Sequence, residues 1–203
     1  EFRELAPFRF DDYRQSTYGN PALDRTRITN YDVRWEWFPG PGEVVAVSGF
    51  YKSFVNPIEQ VYLIGGSGIS VEPANAHDAV SSGLEFELRK GLEFLDPSLA
   101  QFSVGGNLTL VSSEVTFNPG EFIRVFDGVN IIDYGPEVLT STKRALQGQS
   151  PYVVNITFGY DNADWGTSAT LLYNSFGERL AVVGTEGIPD TYEQPRPSLD
   201  LSV

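Results

Sequence analysis

Residues 18–54 read YGNPALDRTRITNYDVRWEWFPGPGEVVAVSGFYKSF. Between Ile28 and Phe38 one parity carries Thr29, Tyr31, Val33, Trp35 and Trp37, and the other carries Asn30, Asp32, Arg34 and Glu36. A change of character at every second residue marks a strand with two different faces. At 3.6 residues per turn the same residues would mix polar and aromatic groups on every side of a helix. Pro39-Gly40-Pro41-Gly42 then turns the chain back. The stretch is a hairpin, with strands predicted near 28–38 and 43–54. In the second strand both parities are largely apolar. Lys52 shares its parity with Ala46, Ser48 and Phe50, so Val45, Val47, Gly49 and Tyr51 are expected to face outward with the tryptophans.

The pattern recurs downstream. In 83–90, Leu84, Phe86 and Leu88 alternate with Glu85, Glu87 and Arg89. In 101–117, Phe102, Val104, Leu108 and Leu110 alternate with Ser103, Asn107 and Thr109. Strands follow at 149–160 (Tyr152, Val154, Ile156, Phe158, Tyr160 on one face), at 167–176 (Ala169, Leu171, Tyr173) and at 198–203 (Leu199, Leu201, Val203). Upstream, 1–10 reads as a strand end running into a loop, and Asp11 to Arg27 as a polar loop with a turn at Gly19-Asn20-Pro21. The stretch 56–82, with Gly65-Gly66-Ser67-Gly68 at its centre, reads as one long flexible loop. The mixed stretch 118–148 either carries its own short hairpin or folds back on itself.

Short connections are thus predicted at 39–42, 91–100 and 161–166, and long ones at 56–82, 118–148 and 177–197. In an up-and-down sheet this order puts every long loop at one end. Transmembrane β-barrels have that asymmetry, with strands long enough to cross a bilayer at a tilt. The expected fold is all-β: part of an antiparallel up-and-down transmembrane β-barrel, about 7–8 strands of a larger one. A soluble or surface-attached β-sandwich or barrel acting as a binding module is the alternative, since a core-facing sheet shows the same alternation.

Composition narrows the function classes. The formal net charge is -13, which disfavours a nucleic-acid backbone as partner. Cysteine is absent, which excludes disulfides and thiolate metal sites. No apolar run has the ~18 residues of a transmembrane helix, though barrel strands would show none either. The chain begins at Glu1 and contains no methionine, so it is expected to be an excised piece of a longer protein.

If the apolar parity meets lipid, the polar parity lines a lumen. Asp32, Arg34, Glu36, Glu85, Glu87 and Arg89 are then the ligand-facing candidates, with Asn107, Thr109, Asn155, Thr157, Thr170 and Asn174 beside them. Tyr31, Trp35, Trp37, Phe102, Tyr152, Tyr160 and Tyr173 are candidates for interfacial girdles. No catalytic, metal or cofactor site is expected. His77, the only histidine, has Asp78 beside it but no second ligand or nucleophile in the pattern. Gly65-Gly66-Ser67-Gly68 lacks the Lys-Ser/Thr of a phosphate cradle. Glu85 and Glu87 sit on one strand with Arg89 continuing the row, unlike a glycosidase pair.

Several motifs resemble the barrel of TonB-dependent outer-membrane receptors. They are Gly19-Asn20-Pro21-Ala22-Leu23, Asn30-Tyr31-Asp32, Trp37-Phe38-Pro39 and Phe50-Tyr51-Lys52-Ser53-Phe54-Val55-Asn56-Pro57-Ile58. Gly83-Leu84-Glu85-Phe86-Glu87, the stretch from Gln147 to Asn155, and Tyr192-Glu193-Gln194-Pro195-Arg196-Pro197 extend the resemblance over almost the whole chain. It implies a plugged barrel of about 22 strands in the bacterial outer membrane. Its partners would be outer-membrane lipid, a small ligand of unidentified type, and the TonB complex, engaged through an N-terminal part. The plug domain and TonB box are expected to lie outside this stretch. Because Val203 is not aromatic, one or two further hairpins are expected after it.

Overall fold

The computed structural model describes residues 2–11, 16–65, 68–117 and 120–203. A one-turn helix, α1 (Phe2–Leu5), precedes β1 (Arg9–Asp11) and β2 (Ser16–Tyr18), where a strand end and a polar loop were expected. Residues 12–15 of that loop lie outside the described residues. The opening hairpin is β3 (Arg27–Trp37) and β4 (Val44–Val55). After it come β5 (Ile58–Gly65), β6 (Gly68–Asn75), β7 (Asp78–Gly91), β8 (Phe102–Thr116), β9 (Ile123–Phe126), β10 (Ile131–Tyr134) and β11 (Lys143–Arg144). The last five are β12 (Tyr152–Asn162), β13 (Thr167–Phe176), β14 (Arg179–Val182), β15 (Thr191–Glu193) and β16 (Ser198–Ser202).

Six long strands and the five-residue β16 form an antiparallel wall in the order β16-β13-β12-β8-β7-β4-β3, with β11 pairing beside β8. Each wall strand neighbours the next in sequence, so the wall is an up-and-down meander. It is open, with β3 and β16 as its edges, and all of β3 is exposed. Among the described residues no helix is long and apolar enough to cross a membrane.

Register explains the two faces. Tyr31, Val33, Trp35 and Trp37 stand opposite Tyr51, Gly49, Val47 and Val45. Directly opposed residues project to the same side of a sheet, so β4 follows the parity read from Lys52. One row runs across the whole wall as Trp37, Val45, Leu88, Gly106, Ile156, Tyr173 and Leu199. A polar row beside it runs Glu36, Ala46, Glu87, Asn107, Asn155, Asn174 and Ser198. Slipping any one strand by a residue would exchange its faces and break both rows.

The stretch 56–82 is not one long loop. β5 and β6 form a hairpin, Ile58 opposite Asn75 through Gly65 opposite Gly68, and β7 already begins at Asp78. Gly66 and Ser67, at the centre of the predicted flexible loop, lie outside the described residues. Gly, Ser and Pro disguised these strands, because composition cannot report the tertiary contacts that hold them. Val61, Val71 and Ala74 are each buried to 3 % exposure or less. Pro73 is tolerated in β6 because β2 covers that strand only at Ser70 and Val71. Hairpin β9–β10 lies within 118–148, and β14 pairs with β15 within 177–197.

The core is therefore not in the wall. Val61, Ala74, Ala79, Val115, Ile123, Val125, Leu180 and Val183 cluster where the long connections meet the wall. The apolar wall face stays bare, with Val33 77 % and Ile156 52 % exposed. Two wall glycines are fixed by packing. A Cβ on Gly83 would stand 2.4 Å from the Leu110 carbonyl oxygen, and one on Gly106 2.7 Å from that of Asn155. Gly83→Ala is expected to destabilise the folded protein by about 1–3 kcal/mol, read as a lower denaturant midpoint; an unchanged midpoint would contradict the wall geometry at β7–β8.

Candidate functional site

The polar wall face brings four of the six candidate residues into one ladder. Arg34 donates from Nη2 to Glu87 Oε2 at 2.8 Å and from Nε to Glu36 Oε1 at 2.6 Å, and from Nη1 to Ser48 Oγ at 3.2 Å. Arg89 Nε lies 3.5 Å from Glu87 Oε1. The ladder crosses from β3 to β7 above the small side chains of Ala46 and Ser48, which let Arg34 span an entire strand. Exposed ion pairs contribute only ~0–1 kcal/mol each, so the ladder orients charge more than it stabilises. Asp32 and Glu85 stay apart from it. Asp32 accepts from Asn30 on its own strand, and Glu85 sits in the row of Ser48 and Thr109.

Register adds a second network. Asn155 Nδ2 donates to Asn107 Oδ1 at 2.7 Å, and Asn174 Nδ2 to Asn155 Oδ1 at 2.6 Å. Alternation puts each asparagine on the polar parity, but only the pairing of β8, β12 and β13 aligns them. Next to both networks a groove of about 550 Å³ opens toward the short-turn end, floored by Gly105 and walled by Glu87, Arg89, Asn107, Asn155 and Thr157. At the turn itself Lys90 Nζ meets Glu43 Oε2 at 2.6 Å, tying the 38–43 turn to β7.

At the other end the long connections knit into a cap. Glu59 and Arg144, both nearly solvent-free, form an ion pair between β5 and β11. Arg144 also donates to Ser141 O at 3.0 Å and packs over the Phe117 ring. Gln147 joins three connections. Its backbone N–H donates to Glu59 Oε1 at 3.2 Å, and its amide group donates to Gln60 O and Ala181 O at 2.9 Å each. Its Oε1 accepts from the Gln60 N–H at 2.7 Å. Asn20, fully buried, donates to Pro73 O at 3.0 Å and Arg124 O at 2.8 Å, and accepts from Ala22 N at 2.9 Å. The turn read at Gly19-Asn20-Pro21 is thus the staple between hairpins β5–β6 and β9–β10. His77, read from sequence with Asp78 beside it, lies between Asp78 and Glu121, 3.3 and 3.2 Å from their carboxylates. Sequence could not supply Glu121, which comes from a different connection.

Residues 2–202 match the family described as TonB dependent receptor-like, beta-barrel. The chain belongs to that family. Its fold is also similar to that of the ferric enterobactin receptor of Pseudomonas aeruginosa, solved as a mutant in complex with enterobactin. The TM-score is 0.51 at 15 % identity, over 92 % of this chain and 24 % of the receptor chain. The chain therefore spans about a quarter of that receptor's length. No curated protein matches it. In TonB-dependent barrels of the outer membrane, short turns close one end and long loops stand at the other, the division seen between the 38–43 turn and the cap.

One buried carboxyl in the cap titrates unusually. Glu72, 1 % exposed, accepts from Ser70 and the Phe126 N–H, faces Asp127 and Tyr134, and leaves Oε2 without a partner among the described residues. Burial pushes its pKa up to about 7. A carboxyl raised above its unfolded value near 4.5 contributes stability that is complete below that value and is lost as pH rises through 7. Glu72→Gln should change little at pH 5 and stabilise the cap at pH 8 by on the order of 3 kcal/mol, visible as slower amide exchange in β6 and β9. Equal protection of wild type and variant at pH 8 would contradict it. Arg144→Ala strands the Glu59 charge and should weaken the cap by about 3–5 kcal/mol, whereas Glu59→Leu with Arg144→Met should recover most of that loss in thermal unfolding.

Proposed function

We propose that the chain forms part of the wall and the outer loop cap of an outer-membrane receptor. The whole protein would take up a small ligand through its barrel, driven by the TonB complex, with a plug domain supplied by another part of the same protein. The observation that carries this reading is the one-sided architecture: three long connections gathered in one cap, three short turns opposite, and a bare apolar face between them. That face suits lipid. On β8 the apolar parity runs from Phe102 to Leu110, about 27 Å along the strand at ~3.4 Å per residue. Tilted by ~40°, this is about 20 Å, close to the ~25 Å apolar band of such barrels.

Asp32, Arg34, Glu36, Glu85, Glu87 and Arg89 then face the lumen, where plug or ligand passes. The groove beside Asn107 and Asn155 offers such a passenger hydrogen-bonding groups on a polar floor. A soluble sandwich would cover the apolar face with a second sheet, and no such sheet is present among the described residues.

Uptake of a radiolabelled ligand panel (ferric chelates, cobalamin, oligosaccharides) by cells carrying the full-length receptor is expected to include one ligand whose entry stops on adding a protonophore. Entry that persists without a proton gradient would refute TonB energisation. On the wall, Leu108→Arg should lower folding stability in the bilayer by about 2–4 kcal/mol while its neighbour Thr109→Arg is tolerated. Equal effects of the two would refute the assignment of faces.

A further inference from the structure

Two hairpins of the cap meet without sharing a sheet. β5–β6 belongs to the sheet of β1 and β2, and β9–β10 is a pair of its own. Side chains join them instead, at two points. At the base the Asn20 amide donates to Pro73 O on β6 and to Arg124 O on β9, beside Ile123 and Val125, which are 3 % and 0 % exposed. At the outer end the Glu72 carboxyl accepts from the Phe126 N–H. A side-chain carboxyl there takes the place of a ladder bond.

From Phe126 outward the tip of the second hairpin is a self-contained turn. Asp127 N donates to Asn130 O at 3.1 Å, and the Asp127 carboxylate accepts from the N–H groups of Val129 and Asn130 at 2.8 and 2.6 Å. Gly128 takes the left-handed position (φ +94°), and its backbone rests against the Tyr18 ring of β2, where an added Cβ would stand 3.0 Å from Cε1. Val129 and Ile131 are 81 % and 54 % exposed. The tip, 126–131, can therefore move as one piece about the buried Ile123 and Val125 with every bond of its turn intact. Lifting it parts Phe126 from Glu72 and Gly128 from Tyr18.

Charge decides whether it lifts. Val61 of β5 stands opposite Glu72 and brings no charge. Arg124, the one cation of β9, is taken by Asp133 through bonds of 2.7 and 2.9 Å. β10 contributes the Tyr134 phenol, on which Glu186 also acts. The tip contributes Asp127, whose two backbone donors hold its carboxyl below the usual range and keep it ionised. Among the described residues Glu72 thus faces an anion across the seam, no cation acts on it, and its Oε2 has no partner. Protonated, it keeps the Phe126 bond at little cost in a dry setting. Ionised, it sets an unsolvated oxygen against a second negative charge, a penalty that entering water relieves. We propose that the tip of hairpin β9–β10 is a proton-operated latch on the cap: with Glu72 protonated it is seated on β6, and ionisation of Glu72 beside Asp127 lifts it and opens the seam to water. The base, stapled by the neutral Asn20 amide, stays seated in both states.

The test follows the purified full-length protein by amide exchange and by a spin-label distance at pH 5 and pH 8. Exchange across 126–131, corrected for the intrinsic rise of exchange with pH, should speed up by on the order of a hundredfold, the ratio expected for a carboxyl that titrates near 7 when seated and near 4.5 when lifted. Strands β7, β8 and β14 should keep their protection. Labels at Ile69→Cys and Val129→Cys, in a protein freed of other cysteines, should give one distance at pH 5 and a second, longer one that grows as pH rises through about 7. Glu72→Gln should hold the short distance at both pH values. Asp127→Asn keeps an acceptor for the turn and should reduce the opening at pH 8. An unchanged distance with unchanged tip exchange in wild type overturns the latch. Protection lost equally across β7 and β8 overturns it as well, since the cap then loosens as a whole. Opening that keeps its pH dependence in Glu72→Gln overturns Glu72 as the trigger.

Discussion

The wall depends on unbroken register across seven strands. A β-strand offers only two sides, and each pairing copies the choice of sides to its neighbour. Once Trp35 and Trp37 lie on one side of β3, Val47, Phe86, Leu108 and Val154 must follow, and Arg34, Glu87 and Asn155 must take the other. Neither face alone needs to be especially apolar or polar. The structure separates them because seven alternating strands agree.

That agreement leaves the wall without a core of its own, and the cap supplies one. Buried residues gather around Val115, Val125 and Val183, where the ends of β7 and β8 meet the long connections. Glu59, Arg144, Gln147 and Asn20 occupy this cluster, with nearly all their polar atoms paired. Polar groups in a dry setting specify one arrangement because any other leaves them unpaired. Among the described residues the exception in this group is Arg144 Nε, and Glu72 Oε2, also in the cap, likewise lacks a partner. The cap thus joins its three connections into one body while keeping a titratable carboxyl at its centre.

The two wall faces lead to different chemistry. The ladder of Arg34, Glu36, Glu87 and Arg89 and the asparagine row give the polar side fixed donors and acceptors. The apolar side has shape instead, with glycine at 106 where the Asn155 carbonyl leaves no room for a Cβ.

Sequence alone determined the wall: the period-two runs, their two faces, the turn at Pro39–Gly42 and the ends at which short and long connections fall. It could do so because strand periodicity is local, each residue's side being set by its parity. The motifs around Gly19-Asn20-Pro21 and Phe50–Ile58 pointed to the family that residues 2–202 match. Tertiary structure decided everything non-local. It made a hairpin of the Gly- and Ser-rich stretch after Asn56, carried Glu121 to His77, and set Glu59 against Arg144 across 85 positions of sequence. These outcomes depend on which distant surfaces meet and how closely they pack, and no alternation of neighbouring residues encodes that.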